Sequence, residues 1–462
     1  MVTAEAKSSL DTPIENNDSV RRRFAIGAFW ALVGAVVSRG LTLAASVVAG
    51  RLLGTTGFGE VGMIQSTQGL FGVLAGAGMG LAATKFVAEY RATDRAKAGR
   101  CVSLALLVAL AAGALASVVL FVISSAVAST VLHAPHLVTE LQVATGLLFF
   151  GTLNGVQTGA IVGLGNFRTV AILNIIRGVC LFVMLIVGIY LDGVMGGVIG
   201  LVVTEGIAVL ANQIALQRLL PELRMASPVV ARTPDRATSE AWNELITMCR
   251  FSGFALLGSI CTTLALWFSN VVLVSQTDGY AALGLFNAAD RWRQLLLFLP
   301  ATISPLILSM LSNLHGKNDP AAYRQLVSAN LWISVIVVLI PSAGIALGAP
   351  LAMGLFGEEY RGGSMTLVIL AASSIAVVFN NVLGQILVSQ GAIWGRFLLD
   401  VLLAAVLAVV CWQLIPLYHD QGMAWGHLAA YGVTAIALVF PAIYYMRKRA
   451  TVSSELPELG RR

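Results

Sequence analysis

Hydrophobic stretches of about 20 to 28 residues alternate with short polar breaks along almost the whole chain, each long enough to cross a bilayer core as a helix. Read this way, the pattern predicts twelve spans beginning near Phe24, Phe58, Cys101, Thr139, Thr169, Val194, Cys249, Tyr280, Gln325, Gly363, Phe397 and Gly422. The first, from Phe24 to Gly50, carries a single charge, Arg39. A polar leader precedes it and the apolar run outlasts the core of a signal peptide, so the pattern predicts a first span rather than a cleaved leader.

Two passages are written twice. "GFGEVGMIQS" (Gly57 to Ser66) returns as "GYAALGLFNA" (Gly279 to Ala288), keeping Gly57/Gly279, Phe58/Tyr280, Val61/Leu283, Gly62/Gly284, Met63/Leu285, Ile64/Phe286 and Gln65/Asn287 in identity or character. Leu153 to Asn174 is echoed by Phe379 to Asp400, with Asn154/Asn380, Val156/Val382, Gly165/Gly391 and Asn174/Asp400 in register. Self-similarity at so long a period decides architecture before any single residue does. It predicts an all-α membrane protein whose twelve transmembrane helices form two six-helix lobes. Each lobe holds an even number of spans, so a pseudo-twofold axis along the membrane normal relates them. The expected boundaries are a tail at 1–23, an N-lobe at 24–217, a linker at 218–247, a C-lobe at 248–446 and a tail at 447–462. Pro221, Pro228 and Pro234 mark the linker.

Composition excludes a soluble fold: 57% of the 462 residues are hydrophobic and 11% charged, where soluble domains carry about 25% charged residues. With the amino terminus inside, most of the 29 Lys and Arg fall on cytosolic loops and tails, and the outer loops hold Arg51 and Arg361. That is the positive-inside bias, and it places both termini in the cytosol. The net charge of +6 is therefore a topology signal and gives no reason to expect nucleic acid. Cys101, Cys180, Cys249, Cys261 and Cys411 are scattered, which predicts neither a disulfide framework nor a metal site. No G-x-x-x-x-G-K-[ST] is present, so no ATP-binding P-loop and no cofactor is expected. Gly72, Gly76 and Gly80 recur every four residues and read as a close-packing row inside span two.

Four spans carry the polar residues. Arg39 lies about 22 Å along the first helix, too deep to snorkel easily. Thr42 and Ser46 follow at i+3 and i+7 on the same face. Span two contributes Glu60, Gln65 and Gln68. Span seven contributes Ser259, Thr262, Thr263, Ser269 and Asn270; span eight contributes Asn287, Asp290, Arg291, Arg293 and Gln294, of which Asn287, Arg291 and Gln294 share a stripe. Asp290 reads equally as the ion-pair partner of a neighbouring arginine and as a coupling group. Arg177 and Glu205 read as contacts inside a lobe, and Arg396 with Asp400 as an i, i+4 pair. Arginines outnumber carboxylates among these residues, and arginine meets a diphosphate bidentately.

The arginine-bearing first helix, "GRLLGTTGFGEVGMIQS" after it, the cytosolic "TKFVAEYRATDRAKAGR" and "GLGNFRTVAILN" resemble the bacterial polysaccharide, or O-antigen, repeat-unit flippases of the multidrug/oligosaccharidyl-lipid/polysaccharide exporter superfamily. The first helix is also similar to that of lipid II flippases at Ser38, Arg39, Arg51 and Gly54, but Ala45 stands where that pattern has an arginine. The resemblance implies no enzymatic activity. It implies alternating access in the inner membrane, with a cavity lined by spans one, two, seven and eight. The implied substrate is an undecaprenyl-diphosphate-linked oligosaccharide; membrane lipids, a coupling proton or sodium ion and other polysaccharide assembly proteins are the implied partners. The expected substrate-binding residues are Arg39, Thr42, Ser46, Gln65, Gln68, Asn270, Asn287, Arg291 and Arg293, with Glu60 and Asp290 as coupling-ion candidates and no metal ligands. Two alternatives stay open: a drug or cation exporter of the same fold, and a membrane polysaccharide polymerase or ligase. The last would need chemistry on outer loops that offer little beyond His133, His136, Glu358, Glu359, His419 and Asp420.

Overall fold

The computed structural model describes residues 17–76, 78–91, 93–224, 246, 257–316 and 319–459, and every regular element among them is helical. In chain order these are α1 (Asn17–Gly76), α2 (Met79–Tyr90), α3 (Arg95–Ala126), α4 (Val138–Val143), α5 (Thr145–Gly163), α6 (Phe167–Arg224), α7 (Leu257–Val274), α8 (Gly279–Gly316), α9 (Pro320–Leu347), α10 (Ala349–Gly354), α11 (Ser364–Ser389) and α12 (Ile393–Leu459). A π-helical turn (Val127–Val131) and a 3-10 turn (Pro135–Leu137) join α3 to α4, and a second 3-10 turn (Glu358–Gly363) leads into α11. Most of the expected linker, and Cys249 at the expected start of span seven, lie outside the described residues.

Among the described residues, nine helical segments are long and apolar enough to cross a membrane. The chain is a multi-pass membrane protein. Many large apolar side chains stand exposed, among them Leu107, Leu115, Val122, Ile340 and Phe440. That is the surface a bilayer solvates and water does not.

Three of the nine segments are far longer than one crossing: 43 residues in α1, 53 in α6 and 51 in α12. A straight helix of the middle length would run ~80 Å, against about 30 Å of hydrocarbon. Each is broken within its run, α1 at Gly54 (φ 70°), α6 at Asp192 and Gly193 (φ 50° at the glycine), and α12 at His419 (φ 48°). The two legs of α6 face each other, because Gly188 abuts the Gly196 backbone and Gly200 abuts the Met184 carbonyl. In α12, Gly422 abuts the Leu414 carbonyl and Gly426 the Cys411 sulfur. These are antiparallel hairpins closed by one- or two-residue reversals. Glycine adopts positive φ without the Cβ penalty, whereas His419 carries that strain.

The expected packing row at Gly72, Gly76 and Gly80 is corrected. The row does not lie on one helix: α1 ends at Gly76, Gly78 takes φ 63°, and α2 begins at Met79. Gly76 borders open space, and of the three only Gly80 makes a close approach, to the Gly155 carbonyl of α5. Thr84 donates to the carbonyls of Gly80 and Gly159, at 3.0 Å each, and fastens that crossing.

The repeated stretches meet each other. A Cβ on Gly59 would collide with the Tyr280 carbonyl, one on Gly284 with the Thr55 carbonyl, and one on Gly62 with the Asn287 amide. The glycines of both copies thus let α1 and α8 cross at backbone contact. Around the crossing, Ala45, Met63, Ile64, Leu273, Leu283 and Ala288 are fully buried in one continuous apolar core.

Candidate functional site

The α1–α8 crossing closes one end of a cavity of ≈ 1350 Å³ that runs between the first-half helices α1, α2, α5 and α6 and the second-half helices α7 and α8. Hydrogen bonds tie the closed end. Trp267 donates to Thr67 (3.1 Å), Asn270 to Ser66 (2.6 Å), Arg51 to the Leu355 carbonyl (2.6 Å) and Tyr280 to the Leu132 carbonyl (3.0 Å). The Tyr360 hydroxyl reaches the carbonyls of Gly50 and Gly54 at 3.2 and 2.8 Å, holding the α1 kink against the turn before α11.

Arg39, Thr42 and Ser46 all line the cavity, as their shared helix face predicts. The two hydroxyls bond back to Ser38 and Thr42 carbonyls of their own helix, 2.8 and 2.9 Å away, a habit of short hydroxyl side chains in apolar helices. Arg39 is exposed to the cavity. Facing it from α8 are Asn287, Arg291 and Gln294, the stripe read from spacing, while Gln65 and Gln68 line the α1 wall. Arg291 donates to the Gln65 carbonyl oxygen at 3.2 Å, and Arg39 lines the same cavity. The buried Asn287 Nδ2 has no hydrogen-bond partner among the described residues and sits against Gly62 at the lining.

Four of the expected site residues lie outside the lining. Arg293 pairs with Asp290 at 2.6 Å, and Gln294 donates to the other carboxylate oxygen at 2.7 Å, so Asp290 is neutralised within α8. Asn270 is spent on the closed-end clasp to Ser66. Glu60 meets His136 at 2.8 Å near the same end.

Two charged residues that the family resemblance assigned to intralobe contacts belong to the wall as well. Arg177 pairs with Glu205 across the legs of α6, with Nε at 3.0 Å, and both side chains line the cavity. The signal was present in the chain: Asn174 and Arg177 are three apart, Glu205 and Asn212 seven apart, and all four share one wall. The charged lining is thus Arg39, Arg177, Arg291 and Glu205, three cations to one anion. An unbalanced cationic wall in an apolar surround favours an anionic occupant.

A family model described as "Polysaccharide biosynthesis protein" matches residues 24–309. The chain is similar to the EPS I polysaccharide export inner membrane protein EpsE of Ralstonia solanacearum, with 21% identity over 178 residues, which is 38% of each chain. The aligned part thus spans well under half the length of that relative. Among solved structures, an inward-facing multidrug resistance MATE family transporter of the MOP superfamily superposes with TM-score 0.76 at 16% identity, covering 92% of this chain and 99% of the other. A MOP superfamily transporter from Pyrococcus furiosus, with a binding pocket of reverse polarity, gives TM-score 0.68 at 17% identity over 92% of this chain and 96% of the other. At such identities the likeness is one of fold.

Proposed function

The chain belongs to the polysaccharide biosynthesis protein family, and from that premise we propose that it is a flippase moving an undecaprenyl-diphosphate-linked oligosaccharide from the cytosolic to the outer leaflet. The cationic cavity carries the reading: Arg39 and Arg291 line one space from opposite halves of the chain, and Arg177 lines it as well. Guanidinium groups hold a diphosphate by paired, charge-assisted hydrogen bonds. A cationic drug would meet net repulsion there. The polysaccharide export relative is consistent with a saccharide-bearing cargo for this chain.

In this proposal the breaks in α1, α6 and α12 turn nine helical segments into twelve crossings, six in each of two lobes, with both termini cytosolic. The closed end faces outward, so the cavity takes its cargo from the cytosolic side and the lobes rock to release it. Arg39, Thr42, Ser46, Gln65, Gln68, Asn287 and Arg291 contact the cargo, and Asn270 gates the outer end. Glu60 and Asp290 are where a proton or sodium ion would compete with His136 or Arg293.

The test is a vesicle assay with the purified chain. Undecaprenyl-diphosphate oligosaccharide should become accessible to an outer-leaflet glycosidase faster than in empty vesicles, and a cationic dye should not be transported. Dye transport without lipid flipping would overturn the proposal in favour of a drug exporter.

A further inference from the structure

The wall opposite Arg291 is more than a support for one arginine. Asn154 donates to Glu205 at 2.9 Å, Asn212 donates to Asn154 at 2.6 Å and to Thr158 at 3.3 Å, and Arg177 closes the chain on the second Glu205 oxygen. Asn174 also lines the cavity and has no hydrogen-bond partner among the described residues. All six side chains border the cavity.

The internal repeat supplies an independent comparison. In the second half, Asn380 and Asp400 occupy the places of Asn154 and Asn174. There Arg396 pairs with Asp400 at 2.8 Å and leans on Asn380 at 3.5 Å, and Asn380 donates to the buried Thr434 at 2.7 Å. None of these residues reaches the cavity. The same framework is therefore sealed by its own ion pair in one half and opened to the cavity in the other.

Resting on the flippase reading above, we propose that Asn154, Thr158, Asn174, Arg177, Glu205 and Asn212 form a carbohydrate subsite that holds saccharide hydroxyls while Arg39 and Arg291 hold the diphosphate. A sugar hydroxyl both donates and accepts. Carboxamides, a hydroxyl and a charge-compensated Arg–Glu pair offer both functions without adding net charge. Glu205 is already met by a guanidinium and an amide, so it complements a neutral polyol better than a free cation. The two subsites share the α1–α6 wall: a Cβ on Gly178 would lie 3.3 Å from the Ser38 Cα, so the helices that carry Arg177 and Arg39 pack closely there, and both arginines line the cavity. A site built to bond hydroxyls discriminates strongly against a ligand lacking them.

The experiment measures binding to the full chain in nanodiscs of two lipids, undecaprenyl diphosphate bearing a trisaccharide and the same lipid without sugar. Wild type should bind the sugar-bearing lipid more tightly. Asn174→Ala and Asn174→Leu, at a side chain with no hydrogen-bond partner among the described residues, should weaken that binding by roughly two- to tenfold and leave the sugar-free lipid unchanged. Arg39→Ala should weaken both. Equal wild-type binding of the two lipids, or Asn174 variants that shift both alike, would overturn the subsite while an Arg39 dependence left the flippase reading standing. If neither lipid binds wild type, the flippase reading falls and takes the subsite with it.

Discussion

Arg291 and Arg293 stand two positions apart on α8, and their surroundings give them different work. Arg291 turns toward the cavity and Gln65; Arg293 is committed to Asp290. Breaking a buried pair leaves one charge uncompensated, at about 3–5 kcal/mol. Asp290→Asn and Arg293→Met should therefore each lower the thermal stability of the purified protein, and the double variant should lose less than the two singles together. Additive losses would show that the pair is not coupled. Helical spacing in the sequence was enough to bring Asn287, Arg291 and Gln294 to one face, and likewise Arg39, Thr42 and Ser46. Residues two apart on a helix are turned by ~200°, so the same spacing sets Arg293 on the side away from that stripe; what it could not give is which partner fills that side, because the neighbouring helices decide it.

The element-scale device is the crossing of α1 and α8, where Gly59 and Gly284 admit backbone carbonyls of the facing helix. Gly59→Val should abolish accumulation of folded protein in the membrane, whereas Gly76→Ala, beside open space, should be tolerated. A Gly59→Val variant that accumulates like wild type would contradict this contact. The repeat was legible as two copies of one glycine pattern, but its meaning was not: a sequence echo shows that two elements are alike, not that they touch. The hairpins were partly legible. Predicted spans separate near Gly54, Asp192 and His419, where non-helical residues break α1, α6 and α12. The break at Gly78 was missed, because a glycine inside an apolar run reads equally as packing and as a hinge.

At the scale of the whole molecule, the halves are clasped at one end by Asn270 on Ser66, Trp267 on Thr67 and Tyr360 on α1. Transport by alternating access requires that clasp to open. Ser66→Cys and Asn270→Cys, joined through two disulfides by a short bis-methanethiosulfonate in a background lacking the native cysteines, should stop flipping, and reduction should restore it. Unimpeded flipping by the cross-linked protein would exclude motion at this end. The most direct test of a cationic cavity carrying a diphosphate is the flipping rate per folded molecule in Arg39→Ala, with Arg39→Lys beside it. Arg39→Ala should accumulate and fold like wild type yet lose about tenfold or more of the rate, the scale of lost charge-assisted hydrogen bonds. Arg39→Lys should recover part of it, since lysine keeps the charge without the planar fork. A wild-type rate per folded molecule in Arg39→Ala would contradict the account.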